Sequence, residues 1–281
     1  MKLLNPSLPV NLPGAGRAGS LRAMVLDWAG TTVDYGSLAP ARTLQKVFAV
    51  SGIVLNDAEA RRDMGLPKKD HIRAILNISR VREAWRAWGG YPPTDADVEE
   101  IYRQFIPLQF SCLAEYSTLI PGVVEAVQRF RQRGLKIGST TGYTRAILDV
   151  LVENSRKAGY IPDCSLTPEE VGAGRPHPFM MYECAVRLQV YPMAAIAKIG
   201  DTGADIQEGL NAGAWAIGVA GTGNGIGLSR EDFQALSAAE QEDRLASSRA
   251  ELQNAGAHYV VNTLAEADAV LDHINDRLKS V

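Results

Sequence analysis

The stretch Met24-Val25-Leu26-Asp27-Trp28-Ala29-Gly30-Thr31-Thr32-Val33-Asp34 constrains the chain most. Residues 21–26 form a short apolar run with one arginine in it and read as a buried strand. The run ends on a carboxylate and breaks into a Gly/Thr-rich turn. In open α/β sheets the reactive crevice lies outside the carboxyl ends of the strands. Asp27 therefore stands where a nucleophile or a metal ligand is expected. A strand-terminal aspartate also caps the segment that follows it, and the stretch alone leaves both readings open.

The rest of the chain sets the context. Residues 39–52, 56–64, 68–75, 81–88 and 94–113 read as helices, with breaks at Gly52, Gly65-Leu66-Pro67 and Gly89-Gly90 and a bend expected near Pro107. Almost nothing between Gly36 and Glu115 reads as a strand. From Ile120 the rhythm alternates: strands over residues 135–139, 196–199, 215–219 and 258–261, with helices over 122–133, 143–157, 178–188, 205–211, 230–252 and 264–279. That alternation predicts an α/β fold with a mostly parallel sheet and right-handed crossovers. The expected organisation is a loose N-terminal extension over residues 1–20, broken by Pro6, Pro9 and Pro13, and an α/β core over 21–35 and 116–281. An all-helical cap over residues 36–115 interrupts the core directly after its first strand, where it can close over the crevice.

Several functional classes fall away. A formal net charge of −3 points to neither nucleic acid nor a membrane surface. No apolar run reaches the roughly 18 residues of a membrane helix. Cys112, Cys164 and Cys184 form no C-x-x-C pair, and a sparse odd count suits reduced thiols in a cytoplasmic protein.

Four short segments fall at strand ends or in adjoining loops: Asp27-Trp28-Ala29-Gly30-Thr31-Thr32, Ile137-Gly138-Ser139-Thr140-Thr141-Gly142, Gly174-Arg175-Pro176-His177-Pro178, and Ile199-Gly200-Asp201-Thr202-Gly203-Ala204-Asp205. Together they supply carboxylates, a hydroxyl with a following backbone amide, and a cation. That set suits phosphoryl transfer with Mg²⁺, which neutralises phosphate charge so that a carboxylate can approach.

In this order, and with a helical insert after the first, the four segments resemble the haloacid dehalogenase superfamily, whose α/β core and cap the predicted elements match. The resemblance implies roles by position. Asp27 is the nucleophile that forms an aspartyl-phosphate. Thr141 binds phosphate through its hydroxyl, with the Gly142 amide beside it, although Thr140 or Ser139 could stand in. Arg175 occupies a phosphate-binding position where most members carry lysine. Asp201 is a Mg²⁺ ligand and Asp205 a further carboxylate supporting the metal or its waters; read as a residue alone, Asp205 is equally a first-turn helix carboxylate.

One departure narrows the chemistry. Phosphatases of this superfamily usually carry a second aspartate two residues after the nucleophile, which protonates the leaving alcohol. Here that position is Ala29, which can still offer its backbone carbonyl to the metal. In the cap, Met64-Gly65-Leu66-Pro67-Lys68-Lys69-Asp70-His71 places a lysine just past a Gly/Pro break. A lysine amine condenses with an aldehyde to give an imine, an electron sink that lets an adjacent C–P bond break without an alkoxide. With Ala29, this segment resembles the phosphonoacetaldehyde hydrolase (phosphonatase) family. The resemblance implies hydrolysis of phosphonoacetaldehyde to acetaldehyde and phosphate, downstream of 2-aminoethylphosphonate transamination, by a homodimer joined through the cap. Ser37 stands where some members have Cys.

Lys68 is then the imine-forming residue, with Lys69 the alternative. His71, three residues on along the helix, is a proton relay or a surface histidine. Met64 and Tyr143 belong to the substrate pocket or to simple packing. Trp85 and Trp88 are interface candidates or core. Two rivals remain open: a phosphatase or phosphomutase acting on a C–O phosphoester, and a non-catalytic phosphate-binding protein.

Overall fold

The computed structural model describes residues 19–279; residues 1–18, most of the expected N-terminal extension, and residues 280 and 281 lie outside it. Six parallel strands form one sheet in the order β3-β2-β1-β4-β5-β6. They are β1 (Ala23–Leu26), β2 (Lys136–Thr140), β3 (Cys164–Leu166), β4 (Ile196–Gly200), β5 (Trp215–Val219) and β6 (Tyr259–Val261). β1, β4 and β5 are buried along their whole length, as strands covered on both faces must be, and they read as near-continuous apolar runs. β3 was not expected from the sequence. It is a three-residue edge strand, Cys-Ser-Leu, with two half-buried residues, and carries neither alternation nor an apolar run.

Between β1 and β2 the chain makes five helices: α1 (Leu38–Val50), α2 (Asp57–Arg61), α3 (Lys68–Leu76), α4 (Ser79–Gly89) and α5 (Asp95–Tyr116). They enclose an apolar cluster of their own, including Leu44, Phe48, Ile72, Trp85 and Phe105. α5 runs unbroken through Pro107, and Leu113 near its end joins the cluster beneath the sheet. Trp85 is only 3% exposed, so its indole is internal packing and not an interface; Trp88 remains 57% exposed.

The remaining helices are α6 (Val123–Gln132), α7 (Arg145–Lys157), α8 (Pro168–Val171), α9 (Phe179–Leu188), α10 (Gly203–Asn211), α11 (Arg230–Ala235), α12 (Ala238–Asn254) and α13 (Ala267–Lys279). The single helix expected over residues 230–252 is two, because Ser237 caps α12 through its hydroxyl and Glu240 returns the bond. No described helix is long and apolar enough to cross a membrane.

The two linkers between insert and core are fastened to each other. Val33 bridges Leu119, the Asp34 amide donates to Thr118, and the Ile120 amide donates to Thr32. Asp34 also caps α1, accepting from the amides of Leu38 and Ala39, each at 3.0 Å. Burial pushes its carboxyl up to about 7, against those two amides.

Candidate active site

Sheet register assembles the site. Leu26 of β1 stands opposite Ser139 of β2 and Ile199 of β4. One step on, Asp27 therefore lies level with Thr140 and Gly200, and the Asp27 amide donates to Ile199 at 2.9 Å. β1 is the strand from which the connections turn to opposite sides, so its carboxyl end opens on the crevice. The turn behind Asp27 is tight: the amides of Thr31, Thr32 and Val33 all donate to the Trp28 carbonyl, and Thr32 Oγ1 donates to the Asp27 carbonyl at 3.0 Å. The Trp28 indole donates to Ser139 Oγ, which passes its own proton to Ser165.

A small cavity of about 30 Å³ lies between insert and core. It brings together Asp27, Ala29, Met64, Lys68, Thr141, Gly142, Tyr143, Arg175 and Asp201. His71 and Asp205 are not part of its wall. A wider groove of about 670 Å³ adjoins it and shares Met64, Asp201 and Thr202.

Two close approaches fix the loop that carries Lys68. A Cβ on Gly142 would meet the Leu66 carbonyl at 2.8 Å, and one on Gly65, at φ +93°, would meet Thr202 Oγ1 at 2.3 Å. Only glycine admits the Leu66 backbone at position 142 and the Thr202 side chain at position 65. Lys68 itself is the first residue of α3 and is buried. Its Nζ lies 3.9 Å from Met64 Sδ and 5.6 Å from the centre of the Tyr143 ring. Burial lowers its ammonium to about 8; Asp27 opposes the shift and Arg175 adds to it. Lys69, by contrast, is at the surface and paired with Glu99 at 2.7 Å. His71 is fully enclosed. Burial, reinforced by the Lys68 charge, lowers it to about 3, so the imidazole is neutral and is not a surface group.

Thr141 Oγ1 accepts from the Tyr143 amide at 3.2 Å, which leaves the hydroxyl proton free to donate into the cavity. Ser139 and Thr140 have their hydroxyls committed elsewhere, Ser139 to Trp28 and Ser165 and Thr140 to buried charged groups. Of the three hydroxyls considered from sequence, Thr141 is the one that lines the cavity.

Arg175 is buried among carboxylates. Its Nη2 is 2.7 Å from Asp27 Oδ1, its Nη1 3.0 Å from Asp205 Oδ1, and its Nε 3.1 Å from Glu208 Oε2. Burial works against its charge, but Asp205, Asp27 and Glu208 outweigh that and hold it cationic. Lys198, in the middle of β4, is equally buried and lies 3.0 Å from Asp205 Oδ1 and 3.2 Å from Glu208 Oε2. Neither Lys198 nor Glu208 was expected from sequence. Their signals are present: a lone lysine inside an apolar strand, and a glutamate three residues past Asp205 on the same helical face.

Asp27, Asp201 and Asp205 each offer a carboxylate oxygen, all within 4.8 Å of one another and all buried. Burial pushes Asp27 up to about 6, aided by Asp205 and resisted by Arg175 and Lys198. Asp201 is pushed up by burial and by the charges of Asp27 and Asp205. Burial also acts to raise Asp205, but Arg175 and Lys198 override it and the net shift is downward. The donors to Asp201 are neutral, the Asn224 amide at 2.7 Å and the Thr31 hydroxyl at 3.4 Å. Its carboxylate is cradled by Gly30 and Gly223, where an added Cβ would come 2.2 Å and 2.5 Å from Asp201 Oδ2 respectively. Four carboxyl groups, those of Asp27, Asp201, Asp205 and Glu208, face two buried core cations, Arg175 and Lys198. A divalent metal ion fits this donor set in both charge and oxygen chemistry.

Replacing Arg175 with methionine takes from Asp27 its ion-pair partner and leaves Asp205 and Glu208 with Lys198 alone. Urea unfolding of metal-free Arg175→Met is expected to show a loss of about 3–5 kcal/mol; a loss below about 1 kcal/mol would contradict the ion pairing.

The chain is similar to known proteins over most of its length. The model of haloacid dehalogenase-like hydrolases matches residues 21–213. A phosphonoacetaldehyde hydrolase of Bacillus cytotoxicus is 42% identical over 254 residues, covering 90% of this chain and 96% of the relative. A bifunctional phosphonoacetaldehyde hydrolase/aminoethylphosphonate transaminase of Clostridioides difficile is 42% identical over 92% of this chain and 41% of its own. The crystal structure of a phosphonoacetaldehyde hydrolase-like protein from Oleispira antarctica superposes with a TM-score of 0.92 at 38% identity, covering 95% of this chain and 97% of that one. The chain thus belongs to the haloacid dehalogenase-like hydrolases and, within them, to the phosphonoacetaldehyde hydrolase family.

Proposed function

We propose that this chain hydrolyses the C–P bond of phosphonoacetaldehyde to acetaldehyde and phosphate. The observation that carries the reading is a pairing across one cavity. Lys68, a buried amine from the helical insert, faces Asp27 from the core, and Ala29 stands where a general acid would be needed for an alcohol leaving group. The relatives' names support the same substrate. The transaminase fused to the Clostridioides difficile relative supports a supply of the aldehyde from 2-aminoethylphosphonate.

Neutral Lys68 Nζ attacks the aldehyde carbon; water leaves, and a protonated imine forms. Asp27 Oδ attacks phosphorus. The C–P bond breaks, and its electron pair moves through the α-carbon to the iminium nitrogen, leaving an enamine and an aspartyl-phosphate. Protonation of the enamine carbon and hydrolysis of the imine release acetaldehyde and restore Lys68. Water then cleaves the acyl phosphate, releasing phosphate and restoring Asp27. Throughout, Arg175 and the Thr141 hydroxyl, with the Gly142 amide, hold phosphoryl oxygens. Met64 and Tyr143 pack against the amine and keep bulk water from it. Enclosed and held neutral by burial and the Lys68 charge, His71 lies outside the cavity wall and would pass a proton during imine formation only by way of Lys68. The carboxylates of Asp27 and Asp201 and the Ala29 carbonyl, supported by Asp205, would hold Mg²⁺, which when bound would neutralise phosphoryl charge.

Borohydride added with phosphonoacetaldehyde is expected to leave a reductive adduct on Lys68, read by peptide mass mapping. An adduct elsewhere, or none, would sink the imine route. Turnover of p-nitrophenyl phosphate without turnover of the phosphonate would favour an ordinary phosphatase. Because the neutral amine is the attacking form, the rate of imine formation should rise with pH to a midpoint near 8, and a midpoint near 10 would contradict the burial effect. Mg²⁺ at a hundred times its Kd should stabilise the fold by about 2.7 kcal/mol, read as a rise in Tm that Asp201→Asn removes. Finally, Trp88 and Tyr91 are exposed aromatic residues on the insert and are proposed to lie in a homodimer interface. Trp88→Asp should then shift the sedimentation coefficient from dimer to monomer; wild-type protein sedimenting as a monomer would refute the dimer.

A further inference from the structure

Arg175 serves the reaction only if its guanidinium stays aimed at Asp27, and the groups that aim it lie beneath the cavity floor. Nη2 is donated at once to Asp27 Oδ1 (2.7 Å), the Thr140 carbonyl (2.8 Å) and Thr140 Oγ1 (3.0 Å). Thr140 Oγ1 also accepts from Lys198 Nζ at 2.7 Å and donates to Glu208 Oε2 at 2.9 Å. A hydroxyl has one proton to give and two lone pairs. All three are used here, and each on a charged group. Glu208 Oε2 in turn takes Arg175 Nε at 3.1 Å and Lys198 Nζ at 3.2 Å. Thr140, Lys198 and Glu208 are all fully buried, and none of them lines the cavity.

We propose that Thr140, with Lys198 and Glu208, is a positioning residue for the C–P hydrolysis described above, its hydroxyl acting as the hub that orients Arg175 toward Asp27 and the phosphoryl group. The physical reason is competition. Without the hub, Asp205 and Glu208 both draw on Arg175, and nothing fixes how its donors divide between them and Asp27. Lys198 Nζ lies against the same oxygens as Arg175, Asp205 Oδ1 and Glu208 Oε2, and so gives both carboxylates a second cation, which lets Arg175 keep Nη2 directed at the reacting centre. In the closed, water-poor site a misaimed donor cannot be replaced by solvent.

The test compares Thr140→Val, which keeps shape and loses the hydroxyl, with Thr140→Ser, which keeps the hydroxyl. Both are assayed as full-length, Mg²⁺-loaded protein for acetaldehyde release and for binding of inorganic phosphate by calorimetry. Supporting groups of this kind typically carry about 10–100-fold in activity. Thr140→Val should lose that much in kcat/KM and bind phosphate correspondingly weakly, while Thr140→Ser restores most of both. A Thr140→Val enzyme with wild-type turnover and phosphate affinity would overturn the proposal, as would equal losses in the two variants. If Thr140→Val fails to fold, the double variant Lys198→Met/Glu208→Gln, which removes one buried charge of each sign, takes its place. There kcat/KM should stay at least about 10-fold down with Tm near wild type, and full recovery of the rate would overturn the proposal. The inference rests on the proposed hydrolysis, but phosphate affinity is read without the substrate. Absence of acetaldehyde release by the wild type refutes that function, and unchanged phosphate affinity across the variants refutes the hub.

Discussion

A guanidinium sealed from water among three carboxylates is the interaction on which the rest of this molecule depends. Taking such charges out of water is costly, and the cost is recovered only when every donor finds an acceptor at good geometry. Here the partners come from separate elements: Asp27 after β1, Thr140 on β2, Lys198 on β4, and Asp205 and Glu208 on α10. The network is therefore also a joint that fixes the central strands and the helix beside them in one arrangement. Parallel register alone brings the strand ends level; the buried charges then join them there.

The helical insert contributes a different kind of control. Its lysine reaches the core through a loop where Gly142 admits the Leu66 backbone and Gly65 admits the Thr202 side chain. Burial then does to Lys68 what burial does to any amine, favouring the neutral form. The same enclosure removes charge from His71. Two residues of ordinary composition thus acquire their chemistry from placement, and that placement exists only while insert and core are together.

Much of this was legible in the sequence because the relevant signals are local. An apolar run ending on Asp27 and the absence of a carboxyl at Ala29 are read from adjacent letters, as are the Gly/Pro break before Lys68 and the helical rhythm of the insert. The residues that escaped notice act across the fold. Lys198 looks like an intruder in β4 until Asp205 and Glu208 are seen beside it. Thr140 and Thr141 are indistinguishable as neighbouring threonines; alternation along β2 turns one hydroxyl into the charged layer and leaves the other at the cavity. Trp85 and Trp88 lie three residues apart, yet one faces the insert's interior and the other the solvent. β3 is too short to carry any pattern.

The size of the cavity has a consequence of its own. A space of about 30 Å³ holds no more than a couple of water molecules, less than a phosphonate with an aldehyde attached occupies, and the groove of about 670 Å³ beside it shares its wall at Met64, Asp201 and Thr202. Insert and core each hold an apolar cluster, and α5 ties the two together, with Leu113 in the core cluster and Ile106 packed against both. Packing and fit are in this way assigned to different parts of the chain. Changes inside either cluster bear on stability, whereas changes where Gly65 meets Thr202 and Gly142 meets Leu66 bear on how closely insert and core fit at the cavity.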